Sequence, residues 1–209
     1  MRFHLVYSGQ LPAAGNNPKP ADVLRIRREL SGQLHHLWQT HPALRVLIQT
    51  GVKWTGPNQT TLMGVNPTPR QMANSFPEEY TDLCGAIRVG DKTYLPLVRE
   101  SLHLSCELDI LFLRQQEPGA LISQGGDIDN RIKTLLDALR LPELDEQSRS
   151  PPEEAELWCL MQSDTLVSRL DVDTDRLLFP QTDKPHEVHL VIGVKLNVLE
   201  VSQYNMCLL

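Results

Sequence analysis

The chain has 209 residues, 41 % hydrophobic and 22 % charged, with a formal net charge of −6. That composition excludes a disordered chain and supports one domain with a proper core, and its short apolar runs exclude a membrane-spanning helix. The negative balance counts against a plain nucleic-acid-binding surface, which needs Lys and Arg to neutralise phosphate. The charge is uneven, however. Residues 1–72 carry eight Lys and Arg against two Asp and Glu, and residues 73–209 carry twelve against twenty-four. A basic face beside an acidic site fits that split, and so does chance asymmetry on a solvated surface.

The first residues, Met1 to Tyr7, lack the long apolar core of a secretory signal and read as a strand over 2–8, so cytoplasmic residence is the expectation. Residues 11–20 form a loop by their Pro, Gly and Asn content. Pro20 and Asp22 then mark a helix start, and Val23, Ile26, Leu30, Leu34 and Leu37 recur at helical spacing until Pro42. Arg25, Arg27 and Arg28 fall on the more polar side of that helix. Residues 44–49 fit a strand or a short helix. Residues 51–82 are rich in Gly, Pro, Asn and Thr and read as a loop-like surface insertion.

Residues 84–89 and 92–99 read as strands about a turn at Gly90-Asp91. Residues 102–113 alternate, with the even positions facing a core. Ile132, Leu135, Leu136 and Leu139 carry the clearest helical spacing in the chain, and Pro142 ends it. Residues 143–156 hold six acidic residues, one Arg and a Pro pair, and read as an acidic insertion. A short helix fits 154–161. Residues 165–171 and 187–194 are β-rich, the second run fitting a central strand. The expected fold is α+β: a mixed β-sheet with two main helices packed on one face, in a single domain over 1–209. The four cysteines, Cys84, Cys106, Cys159 and Cys207, have neither paired spacing nor a neighbouring His at zinc-ligand spacing, and are read as free thiols.

The candidate chemistry lies in Asp127-Ile128-Asp129-Asn130-Arg131-Ile132-Lys133. Two carboxylates one residue apart, in extended chain before a helix, can point to the same side. Hard divalent cations take such oxygens and keep several waters. They assist phosphodiester cleavage by neutralising phosphate and acidifying water. Lys133 follows Asp129 by one helical turn and can set an ammonium beside a phosphate. The bland reading is a capped helix: Asp129 or Asn130 suits an N-cap, and Lys133 with Asp137 suits a surface i, i+4 pair. A third carboxylate, Asp164, precedes the β-type run Thr165-Leu166-Val167, with Asp171 as a distant alternative.

Asp127-Ile128-Asp129-Asn130-x-x-Lys133, running into Leu136-Asp137-Ala138-Leu139, resembles the signature of the RusA-type Holliday-junction resolvases. Asp164 is similar to that family's later Asp before a short strand, and Leu11 to Asn17 to its Pro-rich, Asn-Asn segment. The resemblance is strongest over 105–141 and weaker over 1–20 and 162–195. It implies a RusA-like fold and a structure-specific endodeoxyribonuclease acting on branched DNA such as Holliday junctions. It further implies Asp127, Asp129 and Asp164 as ligands of Mg²⁺, for which Mn²⁺ substitutes, and Lys133 as the fourth catalytic residue. A homodimer is implied too; a two-fold partner suits a junction whose strands are related by two-fold symmetry. The DNA surface expected on this basis is Asn16, Asn17, Lys19, Arg25, Arg28, Asn130 and Arg131. Gln124-Gly125-Gly126 stand where the family often has basic residues, and the acidic insertion lengthens the step from Lys133 to Asp164. A non-catalytic, nuclease-like module that binds nucleic acid or protein is therefore the competing expectation, and an RNA nuclease a weaker one.

Two other patterns are set aside. Asp171-Val172-Asp173-Thr174-Asp175 lacks the Gly and the closing Glu of an EF-hand. His186 and His189 are three apart on an expected strand and so point to opposite faces.

Overall fold

A computed structural model of the chain describes residues 1–12, 20–56, 69–115, 128–144, 156–178 and 187–209. Its elements are β1 (Arg2–Gln10), α1 (Pro20–Thr40), α2 (Pro42–Thr50), β2 (Val52–Trp54), α3 (Pro69–Ser75), β3 (Tyr80–Asp82), β4 (Ile87–Val89), β5 (Lys92–Val98), β6 (Leu104–Arg114), α4 (Ile128–Leu139), β7 (Glu156–Met161), β8 (Val167–Arg176) and β9 (Glu187–Val198). The fold is α+β.

Alternation builds the main sheet. Leu104, Cys106, Leu108, Ile110 and Phe112 occupy every second position of β6, and all are buried. In β9 the buried positions are Val188, Leu190, Ile192, Val194 and Leu196. The sheet order is β1-β9-β6-β8, so β9 and β6 are interior. β1 and β6 are antiparallel to β9, while β8 runs parallel to β6. The apolar face is covered by α1, through Ile26, Leu30, Leu34 and Trp38, and by α4, through Ile132, Leu135, Ala138 and Leu139, in one core cluster. Each fully buried Leu or Ile of that cluster contributes roughly 1.5–3 kcal/mol relative to exposure. A second sheet, β4-β5-β7, has β5 and β7 parallel, and β2 and β3 form a two-stranded antiparallel pair.

Helix α1 closes the edges of both larger sheets. The Gln33 side chain accepts from the Val6 amide at 2.9 Å and donates to the Val6 carbonyl at 2.6 Å, as a neighbouring strand would. Two residues back, Ser31 Oγ accepts from the amide of Trp158 on β7 at 2.8 Å. An unpaired sheet edge invites pairing with another chain, and these side chains occupy both edges locally.

One open reading is resolved and three expectations are corrected. Residues 44–49 belong to a helix, α2, with Pro42 at its start, where the missing amide has no partner to lose. Within 51–82, expected as loop, the chain forms β2, α3 and β3, and residues 57–68 lie outside the described set. Residues 156–161 are a strand, not a short helix; Leu157, Cys159, Leu160 and Met161 are all buried, so the run shows no single period. Arg27 is not on a polar face. It is buried, donating to the carbonyls of Asp137, Ala138 and Arg140 at the end of α4. The strands about Gly90-Asp91 form as expected, with Gly90 at φ 60°, a conformation open to glycine without strain. Most of the acidic insertion, 145–155, lies outside the described residues. Among the described residues no helix is long and apolar enough to cross a membrane.

Candidate functional site

The site is assembled from α4 and from the turn that feeds β8. Helix α4 begins at Ile128, so Asp129 sits in its first turn rather than in extended chain before it. A carboxylate there is favoured by the amide groups and dipole of the helix N-terminus. Asp129, Lys133 and Leu136 follow at i, i+4 and i+7, one face of a helix. The other face, Thr134, Leu135, Ala138 and Leu139, is buried. The hydrophobic period therefore sets the helix rotation that turns Asp129 and Lys133 outward.

Asp164 reaches the same place by a tertiary route. The amide of Leu141, just past α4, donates to the carbonyl of Met161 at the end of β7, 2.9 Å away. One residue on, the Gln162 amide donates to the Val98 carbonyl at 2.8 Å. A 3-10 turn over Asp164–Leu166 then starts β8, with Ser163 Oγ accepting from the Thr165 amide at 3.2 Å. Ser163 also donates to an Asp164 carboxylate oxygen at 3.5 Å.

Asp129, Lys133 and Asp164 line one cleft of about 380 Å³ between α4 and β8. All three are exposed. Ile132, Leu136, Leu170 and Val172 give the cleft an apolar lining. Sequence reasoning missed Leu170 and Val172; the signal was the parity of β8, whose register with β6 sets Leu170 beside Leu108 and Val172 beside Ile110. Asp137 lines the cleft too, but it is 8 % exposed and bound by Arg140, which donates Nε at 3.0 Å and lies 2.9 Å away through its terminal nitrogen.

The remaining expected site residues divide. Asp127, Asn16, Asn17 and Lys19 lie outside the described residues. Arg25, expected to meet DNA, is tied to the Tyr7 hydroxyl and the Gln10 carbonyl, with Asp22 3.8 Å away. Arg28 is half-buried on α1. Asn130 is half-buried, its carbonyl accepting from Thr134 Oγ1 at 3.0 Å. Arg131 is 3 % exposed and donates to the Leu11 carbonyl. It holds the end of the β1 segment to α4 instead of facing solvent, the correction to its expected DNA contact. Burial and the neighbouring Arg114 guanidinium lower its pKa from the usual arginine value. Asp171 projects from the opposite face of β8, beside Arg169 and Glu107, and shares no cleft with Asp129. Among the described residues no three His, Cys, Asp or Glu side chains are grouped closely enough to hold a metal ion.

No protein-family model, curated protein or solved structure matches the chain. The cleft's own chemistry has to carry the functional argument. Its donors are carboxylate oxygens and one ammonium; no thiolate or imidazole is among its lining residues. That set suits a hard divalent cation and not a soft one.

Proposed function

We propose that the chain is a Mg²⁺-dependent endonuclease for branched DNA, working from the α4–β8 cleft. The observation that carries this reading is the meeting of Asp129, Lys133 and Asp164, from separate parts of the chain, along one exposed cleft. A cation held by Asp129 and Asp164, with Asp127 next to the start of α4, would neutralise a phosphate and acidify its attacking water. Lys133 offers an ammonium that stabilises charge building on phosphate oxygens. The apolar lining lowers the local dielectric and strengthens that interaction. The buried Asp137–Arg140 pair holds the cleft wall without leaving a second free acid. The choice of branched DNA rests on the resemblance of Asp127 to Leu139 to the RusA-type signature.

Purified protein incubated with labelled four-way junctions, flaps and linear duplex in Mg²⁺ or Mn²⁺ tests the proposal. Metal-dependent cutting of the branched substrates is expected. Intact substrate throughout, with cation binding shown by calorimetry, would remove the enzymatic reading. A second reading, a nuclease-like binding module, is favoured by one observation: among the described residues no three His, Cys, Asp or Glu side chains are grouped closely enough to hold a metal ion. Junction binding without metal-dependent product would support it.

A further inference from the structure

Strand β1 is one edge of the main sheet, and its register decides which of its backbone groups look outward. The Met1 carbonyl accepts from the Leu196 amide at the end of β9, whereas both backbone groups of Val6 turn away from β9 to the Gln33 side chain. Even-numbered residues of β1 therefore present their N–H and C=O at the open edge. Helix α1 occupies Val6 through Gln33 and the Ser8 amide through Glu29, 3.3 Å away. Among the described residues no hydrogen bond reaches the outward groups of Arg2 and His4.

Beside these two residues a groove of about 420 Å³ runs between the edge and α1. Phe3 and Leu5 line it from the strand, and Gly32, His36 and Leu37 from the helix. A Cβ built on Gly32 would meet no atom within 4 Å, so the groove is open there. We propose that this edge and groove bind an extended peptide of a partner protein, one in which apolar and acidic residues alternate, added to β1 as an antiparallel strand.

The alternation follows from the pleat. Gln33 exchanges both bonds with Val6 as an antiparallel residue would, and the next positions of that kind are His4 and Arg2. Peptide residues paired with His4 and Arg2 project to the open face, beside those side chains. Residues opposite Leu5 and Phe3 project to the other face, into the groove. The groove offers them Phe3, Leu5 and Leu37, which selects apolar side chains. Charge selects the rest. Arg2 and His4 are exposed, and on β9 they stand beside Lys195 and Gly193, neither of them an acid. A carboxylate opposite Arg2 makes a cross-strand pair of opposite sign, and one opposite His4 meets an imidazole N–H. Backbone bonds then supply affinity and the alternating side chains selectivity. The site lies at the opposite edge of the sheet from β8, so the proposal does not depend on the cleft chemistry.

The probe is the capped, fluorescein-labelled peptide Ser-Leu-Glu-Val-Glu-Ser, titrated with the whole chain and read by fluorescence anisotropy. Saturable binding with a dissociation constant below about 1 mM is expected. N-methylation of the first Glu removes the N–H that the His4 carbonyl would accept, and should weaken binding about tenfold or more. Replacing both Glu by Lys sets like charge beside Arg2 and should also cost about tenfold. Gly32→Leu fills the groove and should abolish binding. It exchanges glycine for a strong helix former at an exposed helical position, so the variant should melt no lower than wild type. No binding up to about 1 mM overturns the proposal. So does binding that N-methylation or Gly32→Leu leaves unchanged, and so does equal affinity for the Lys peptide. A chain that binds no peptide but sediments as a dimer, dissociated by Gly32→Leu, would give the edge to a second copy and overturn it too.

Discussion

At the scale of single residues, exposure separates side chains available for chemistry from those that hold the fold. Asp129 and Asp164 are exposed along the cleft, whereas Asp137, on the same helix, is buried against Arg140. On the proposed function, Asp129→Asn and Asp164→Asn should each lower cleavage of a four-way junction by about a thousandfold or more, because each removes a charge from the proposed cation's donor set. The melting temperature should stay within the small range of surface substitutions, about 0.5 kcal/mol in stability. Asp137→Asn should do the reverse. Weakening the pair with half-buried Arg140, which keeps Glu143 3.6 Å away, costs about 1–2 kcal/mol, read as a lower denaturation midpoint. Wild-type cleavage in both cleft variants would remove Asp129 and Asp164 from the mechanism.

The cysteines make a second residue-scale case. All four are free, and burial pushes the thiols of Cys84, Cys106 and Cys159 up to about 12. Thiolate is the reactive form, so at pH 8 these groups are protonated as well as shielded. Ellman's reagent should therefore label native protein only at half-exposed Cys207, and label four thiols once the chain is unfolded. Fast reaction of several thiols in native protein would contradict the buried placement of β6 and β7.

At the scale of elements, α1 acts as a brace more than as a cover. Gln33 and Ser31 occupy two sheet edges, and Arg27 gathers three carbonyls at the end of α4. Those carbonyls are among the four that an α-helix leaves without internal partners. Arg27→Met keeps much of the buried stem but leaves the carbonyls dry and unmatched. It should lower unfolding free energy by about 2–4 kcal/mol, measured by urea denaturation, given the strength of bonds to charged donors. A loss under 0.5 kcal/mol would mean that water replaces the guanidinium. None of this was legible in the sequence. Helical periodicity places Arg27 on a face, but it cannot say that the face meets another helix terminus more than a hundred positions away. Elements with a clean period were readable: β6 by alternation, β9 as an interior strand, α1 and α4 by their apolar stripes. β7 was not, because its apolar run matches neither period and its partner, β5, is distant in the chain.

At the scale of the whole molecule, four arginines serve inside the fold. Arg27, Arg99, Arg114 and Arg131 are buried, and Arg99 alone donates to the carbonyls of Leu83, Gly85 and Pro96. Of the described cations in residues 1–72 only Arg27 is buried, while Arg2, Arg25, Arg45 and Lys53 are exposed. Half of the candidate site was equally local in origin: the i, i+4 spacing of Asp129 and Lys133 is written in consecutive residues. Asp164 was identified by position in a motif, but its arrival beside α4 depends on the hydrogen bond from Leu141 to Met161, which no spacing announces.

This charge arrangement has a consequence for DNA binding. Asp129 and Asp164 face the cleft, and the chain carries a net charge of −6. A phosphate entering without a cation meets two carboxylates and one ammonium, a net repulsion in a cleft with an apolar lining. In EDTA a four-way junction should bind weakly. Adding Ca²⁺, which occupies carboxylate sites while commonly supporting no cleavage, should tighten binding by about tenfold or more, since roughly 1.4 kcal/mol of relieved repulsion gives that factor. Asp129→Asn should bind the junction better than wild type in EDTA, yet gain little from Ca²⁺. Fluorescence anisotropy on a labelled junction reads both effects. Tight binding in EDTA that the substitution leaves unchanged would place the DNA on some other surface, away from the α4–β8 cleft.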